Sequence, residues 1–240
     1  MEQLKIKDLE FKWNGQENPL LRIDHLRIEK GERFFLQGES GSGKTSLLSL
    51  LAGITTPQKG AIELLGQLIN KMKAGERDEF RASYMGYIFQ QFNLVPYLSV
   101  IENVTLPCQF SNHRNKAVLA SGSNARDEAI RLLDHVGLAG KEVLHKPVTE
   151  LSMGQQQRVA ACRALIGSPE IIIADEPTSS LDEKAQQAFI RLLLAECSAN
   201  QATLVFVSHD AKFSHLFDKS ARLENGGIIY TEQKSKGGAK

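Results

Sequence analysis

Apolar positions along this chain follow two different periods, and the places where the period changes outline an architecture. Over the first 30 residues they alternate: Leu9, Phe11 and Trp13 share one face, Asn14-Gly15 makes a turn, and a second alternating run extends from Leu20 to Ile28. Period two is the pattern of half-buried strands, so this stretch reads as an antiparallel edge layer. The run Arg33-Phe34-Phe35-Leu36-Gln37 predicts a buried strand, followed by helix-spaced Leu47, Leu48, Leu50 and Leu51 that stop at Gly53. Pro57 and Gly60 then mark a turn into a strand near Ala61 to Leu65.

From about residue 91 to 165 the spacing becomes helical. Ile130, Leu132, Leu133 and Val136 predict a helix from Asn124 to His135, ended by Gly137, and a second helix runs from Met153 to Ile166 before Gly167 and Pro169. The polar segment Ser111 to Ala125, which contains Ser121-Gly122-Ser123-Asn124, reads as a flexible loop. Strands return at Ile171-Ile172-Ile173-Ala174 and Thr203-Leu204-Val205-Phe206-Val207, with a helix from Glu183 to Cys197 between them. Unbroken apolar runs of this kind belong to parallel strands covered on both faces. Alternating strand and helix therefore predicts a parallel α/β core with right-handed crossovers, interrupted by an all-helical insert.

In such a sheet, ligands lie beyond the carboxyl ends of the strands, so the residues after each apolar run are where chemistry is expected. After the strand at 33 to 37 stands Gly38-Glu39-Ser40-Gly41-Ser42-Gly43-Lys44-Thr45, which fits the phosphate-loop pattern G-x-x-x-x-G-K-[ST]. Its glycines let successive N–H groups turn inward on phosphate oxygens, and the helix starting near Lys44 adds the positive end of its dipole, about half a charge. Lys44 is expected to reach the β- and γ-phosphates and Thr45 to place its hydroxyl on Mg²⁺. Asp175 and Glu176 follow the second strand; two adjacent carboxylates at a buried strand end call for a cation, so Asp175 is assigned to Mg²⁺ and Glu176 to polarising an attacking water. His209 follows the third strand and is expected to orient Glu176 and that water. Ser152, with Gln155 three residues on, forms a capping box at the head of the helix from Met153. A capped helix that opens with Gly154 offers N–H groups to an anion, yet the chain's own loop already has a helix; a second copy of the protein is expected to supply the phosphate.

The totals narrow the field. At 240 residues with 42% hydrophobic content the chain builds a real core. Its 29 Lys and Arg nearly balance 28 Asp and Glu, so no net field draws it to nucleic acid, and no nucleic-acid partner is expected. Cys108, Cys162 and Cys197 fit neither a metal spacing nor a disulfide framework, which suggests a reducing compartment. No apolar run has the length of a membrane span, and Met1 to Lys5 do not begin a signal peptide; a cytoplasmic protein is expected.

Taken together, these motifs resemble the ATP-binding cassette (ABC) ATPases, and the resemblance spans nearly the whole chain. Gly38 to Thr45 looks like the Walker A loop, with Ser46 continuing it, and Ile171 to Glu176 like the Walker B strand with its catalytic glutamate. Leu151-Ser152-Met153-Gly154-Gln155 looks like the signature, Ser179-Ser180-Leu181-Asp182 like the D-loop, and His209 like the switch histidine. Gln90, rather than Gln91, matches the Q-loop glutamine that touches Mg²⁺ and the water, and Trp13 falls where the family stacks an aromatic ring on adenine. The resemblance implies the P-loop NTPase (RecA-like) fold: residues 1–90 and 166–232 as nucleotide-binding core with its β edge layer, 91–165 as the helical signature subdomain, and 233–240 as a disordered tail. It also implies ATP and Mg²⁺ as ligands and two cassettes closing head to tail on two ATPs. Each nucleotide would then lie between one phosphate loop and the partner's Ser152, Gly154, Gln155 and Asp182.

Asn93 to Val104 is similar to the branch containing lipoprotein-releasing and macrolide-efflux ATPases. That implies integral membrane permease subunits docking near Gln90 to Leu98 and a peripheral place on the cytoplasmic face of the membrane. Met153 departs from the pattern, which carries glycine there, and closure is expected to survive it. The resemblance implies a transporter motor of efflux or extraction type; the alternatives are an importer-type cassette and a soluble ABC ATPase of DNA maintenance or translation, for which the insert is too short. A kinase or GTPase finds no support, since Asn70-Lys71-Met72-Lys73 lacks the aspartate of the guanine-reading motif.

Overall fold

A computed structural model describes residues 1–179 and 181–231. The tail expectation, and Ser180 of the D-loop, lie outside the described residues. Along the chain, strands β1 (Glu2–Phe11), β2 (Leu21–Glu29) and β3 (Arg33–Gly38) precede helix α1 (Lys44–Leu51). Strand β4 (Lys59–Leu64), the short β5 (Gln67–Leu68), helix α2 (Ala74–Tyr84) and strand β6 (Met85–Ile88) follow. A helical stretch comes next: α3 (Val100–Phe110), α4 (Asn112–Ala120), α5 (Ala125–His135), α6 (Lys141–Leu144) and α7 (Met153–Leu165). The chain then returns through β7 (Ile171–Asp175), α8 (Glu183–Ala199), β8 (Thr203–Ser208), β9 (Lys219–Glu224) and β10 (Gly227–Thr231).

Two sheets result. The first is antiparallel in the order β2-β1-β4-β5, the edge layer expected from the alternating N-terminal pattern. The second runs β10-β9-β3-β8-β7-β6, parallel throughout except for β10. Period two accounts for the unbroken apolar runs of this second sheet. Phe35, Ile172, Ala174, Leu204 and Phe206 pack with the helices of the 100–197 region, whereas Phe34, Leu36, Ile171, Ile173, Val205 and Val207 pack with α1 and the edge layer. Both faces of these strands are therefore covered, and each aliphatic side chain so buried contributes roughly 1.5–3 kcal/mol.

Register places the strand ends together. Gln37 pairs with Ser208, Val207 with Asp175, and Ala174 with Ile88, so four neighbouring parallel strands finish at one edge. Helix α7 lies close against that edge's last strand: a Cβ on Gly86 would stand 2.2 Å from the Ala164 carbonyl oxygen, an approach only glycine permits.

The structure corrects the sequence reading in two places. Where a flexible loop was expected over 111–125, α4 forms, capped by the Ser111 hydroxyl, which accepts from Arg114 N at 3.2 Å. Its inward face is carried by Val118 and by the buried guanidinium of Arg114, so no apolar period announces it. Trp13 also leaves the face it was expected to share: β1 ends at Phe11, and while Leu9 and Phe11 are buried, Trp13 lies beyond the strand and is 43% exposed. No sequence pattern announces helix α2 or strands β5, β6, β9 and β10.

Candidate nucleotide site

The site begins where β3 turns into α1. Gly43, immediately before the helix, has φ 99°, and a Cβ there would sit 2.8 Å from Leu21 Cδ2, so the loop needs glycine both for its backbone and for its packing on β2. Lys44 is buried; its Nζ donates to the carbonyls of Gly38 (2.7 Å) and Glu39 (2.8 Å), which curls the loop around its own ammonium group.

The parallel ladder delivers the other groups. Asp175 ends β7, and Glu176 extends the ladder by donating from its N–H to Val207 O at 3.0 Å. Glu176 then takes φ 43°, the left-handed region that a side-chain-bearing residue enters at a cost, and the chain leaves the strand line. Its carboxylate lies between two basic groups: Oε1 is 3.4 Å from Lys44 Nζ, and Oε2 is 2.9 Å from His209 Nδ1. Burial pushes the Asp175 carboxyl above the usual carboxylate range, the neighbouring Glu176 adds to that, and Lys44 opposes it. Tyr87 on β6 is also pushed up, by burial first and then by the Asp175 charge.

A cleft of about 510 Å³ opens at this edge, lined by Leu20, Ser40, Gly41, Gly43, Lys44, Thr45, Ser46, Gln90, Asp175, Glu176 and His209. The three strand ends and the segment after β6 thus meet at one cleft. Leu20 is a lining residue that nothing in the sequence singled out. Glu39 and Ser42 line an adjoining cleft with Ser40 and Gly41. Trp13 reaches the site indirectly: its indole Nε1 donates to Ser46 Oγ at 3.2 Å, and its ring stands edge-on to Phe11 with centroids 5.1 Å apart.

The residues fit a nucleoside triphosphate. Ser42 Oγ is buried without a hydrogen-bond partner, a donor that a phosphate oxygen in the loop would satisfy. Thr45, Gln90 and Asp175 offer a hydroxyl, an amide oxygen and a carboxylate around one cleft, the hard-oxygen chemistry of Mg²⁺. Among the described residues no group of three His, Cys, Asp or Glu side chains could hold a metal ion.

Ser152, Gly154, Gln155 and Asp182 are not brought to this cleft. Ser152 caps α7, its Oγ accepting from Gln155 N (3.3 Å) while its own N–H donates to Gln155 Oε1 (2.9 Å), so the capping box forms as predicted. Asp182 caps α8 by accepting from Ala185 N at 2.9 Å. Ser152 and Asp182 are both exposed, and Leu181 approaches Gly154, a Cβ on which would lie 3.6 Å from Leu181 Cδ2.

Comparison with known proteins bears on the whole chain. Residues 21–179 match the family described as ABC transporter. The uncharacterized ABC transporter ATP-binding protein YbbA of Escherichia coli (strain K12) is 39% identical over 203 residues, 85% of this chain and 85% of that protein. The lipoprotein-releasing system ATP-binding protein LolD of Psychrobacter arcticus is 40% identical over 201 residues, 84% of this chain and 85% of that protein. Among solved structures, the dimeric post-hydrolysis state of the ATP-binding cassette MJ0796 bound to ADP and Pi aligns with a TM-score of 0.81 at 30% identity, covering 94% of this chain and 96% of that one. The similarity runs through edge layer, parallel sheet and helical stretch alike, and this chain belongs to the ABC transporter family.

Proposed function

We propose that this chain hydrolyses ATP as the motor subunit of a transporter of efflux or extraction type, pairing with a second cassette and working with separate membrane-spanning subunits. The observation that carries the reading is the placement of Glu176 between Lys44 and His209 at the mouth of the phosphate loop. The loop N–H groups, Ser42 and Lys44 bind the phosphates; Glu176 takes up the proton of the attacking water; His209 holds Glu176 and the water in line. Gln90, Thr45 and Asp175 would hold Mg²⁺, which would supply positive charge to offset the negative charge of the transferring phosphoryl group.

Within one chain the exposed end of α7 faces no phosphate of its own, so Ser152, Gly154 and Gln155, with Asp182 nearby on α8, serve the nucleotide on the partner cassette. The dimeric state of the MJ0796 cassette supports this arrangement. The name of LolD supports the extraction type, and the region around Gln90 to Leu98 is the proposed contact for permease subunits, holding the cassette on the cytoplasmic face of the membrane. Among the described residues no helix is long and apolar enough to cross a membrane. Residues 1–90 and 166–232 then act as the nucleotide-binding core and 91–165 as the signature subdomain.

The test separates binding from chemistry. Lys44→Ala is expected to abolish ATP binding in equilibrium titration, whereas Glu176→Gln keeps ATP bound and loses turnover by roughly 10²–10⁴-fold. Equal loss of binding in both variants would contradict the assigned roles.

A further inference from the structure

Arg163, in the last turn of α7, has an unusual set of partners. Its Nη2 donates to the Phe92 carbonyl and its Nη1 to the Asn93 carbonyl, both at 2.7 Å, and among the described residues no carboxylate pairs with it. Burial holds its guanidinium below the ordinary arginine range, so a charge has been placed where solvation is poor in order to grip two backbone oxygens.

Those two carbonyls form the exit of the turn that carries Gln90. Phe92 N donates to Phe89 O at 3.0 Å, which makes Gln90 and Gln91 the central residues of the turn, and Asn93 N donates to Gln91 O at 2.6 Å. Phe92 and Asn93 then adopt φ of 60° and 47°. Two successive residues with side chains in the left-handed region crowd the backbone, most severely at the bulky Phe92, and such a conformation persists only where its surroundings over-determine it. The planar fork of Arg163, matched to two consecutive carbonyls, supplies that constraint.

We propose that Arg163 is a positioning residue for Gln90: by pinning Phe92 and Asn93 it sets where the Gln90 amide stands in the nucleotide cleft, and it ties that placement to the helix whose other end carries Ser152 and Gly154. The proposal rests on the role given to Gln90 above. Arg163 itself does not line the nucleotide cleft, so its effect passes through the turn. A lysine in its place would hold one carbonyl with a point charge and leave the second to swing.

The experiment is a double-mutant cycle on the ATPase, with kcat, KM and equilibrium ATP binding measured for R163M, R163K, Q90A and R163M/Q90A. R163M is expected to lower kcat roughly 10- to 100-fold, as a displaced catalytic group does, while ATP affinity stays at the wild-type value. R163K should fall between, and the double variant should be no slower than Q90A alone, since a turn without Gln90 has nothing left to position. Independent, multiplying losses in the double variant, or wild-type kcat in R163M beside a slow Q90A, would overturn the role of Arg163. Full activity in Q90A would instead remove the role of Gln90 on which it rests. Should R163M fail to fold, R163K with R163K/Q90A closes the same cycle and is read in the same way.

Discussion

Trp13 shows how a single side chain comes to stand beside the site through contacts its strand did not give it. Past the end of β1 its indole is fixed at both edges, by the Ser46 hydroxyl at the head of α1 and by edge-on contact with Phe11, which leaves part of the ring exposed beside the loop. If that face receives adenine, Trp13→Ala should weaken ATP binding by roughly 1–3 kcal/mol, the range for base–aromatic stacking, with little loss of fold because the residue is outside the core. Nucleotide titration decides it, and unchanged affinity would reduce Trp13 to a packing role. Glu176 is legible in a different way. Its identity as a carboxylate after an apolar run could be read directly, but the left-handed backbone that turns it toward His209 could not, because an isolated glutamate carries no preference for that region.

Among the elements, α4 is the one whose anchoring has no hydrophobic signature. Arg114 donates through Nε to Ala82 O (2.9 Å), through Nη1 to Ala164 O (3.2 Å) and Ile166 O (3.0 Å), and through Nη2 to Met85 O. The Ala82, Ala164 and Ile166 carbonyls belong to the C-terminal ends of α2 and α7 and the Met85 carbonyl to the start of β6, so one cation meets acceptors at the negative ends of two helix dipoles and joins both to α4. Burial lowers its pKa to about 10, still well above neutrality, so the charge is retained. Arg114→Met should lower stability by roughly 2–4 kcal/mol, read as a shift of the urea midpoint at constant slope, and Arg114→Lys should recover little of it because one ammonium cannot span the four acceptors. A wild-type midpoint for Arg114→Met would mean that packing alone holds α4. Strand β6 carries no legible pattern for a related reason: it is four residues long, and Gly86 is there to admit the backbone of α7, not to fill a pattern.

At the level of the whole molecule, two features stand apart that the proposed mechanism requires together: the cleft at the strand ends, and the exposed, capped end of α7. The proposed pairing of cassettes would join them, so Glu176→Gln with ATP should run as a dimer in sedimentation or size-exclusion measurements, and wild-type hydrolysis should rise with the square of protein concentration when dilute. Ser152→Asn, which keeps a capping side chain, should spare ATP binding by the single chain and impair both pairing and turnover. Met153 is 58% exposed and takes no room inside its own chain, so pairing is expected with it in place; monomers alone with ATP, or a rate linear in concentration, would defeat the paired-site mechanism. The sequence alone determined what depends on neighbours along the chain. The phosphate loop, the acidic pair, the histidine, the capping box and the buried runs are local patterns, each tied to a strand end or helix start by spacing of a few residues. Only the tertiary structure decided what depends on neighbours in space. Strand order and register bring residues 38, 90, 176 and 209 to one edge, a buried guanidinium turns a polar segment into a helix, and Arg163 grips a turn some 70 positions away. Contacts of that range leave no period in the sequence, because they are made by hydrogen-bonding groups whose partners are backbone atoms, and every residue carries those.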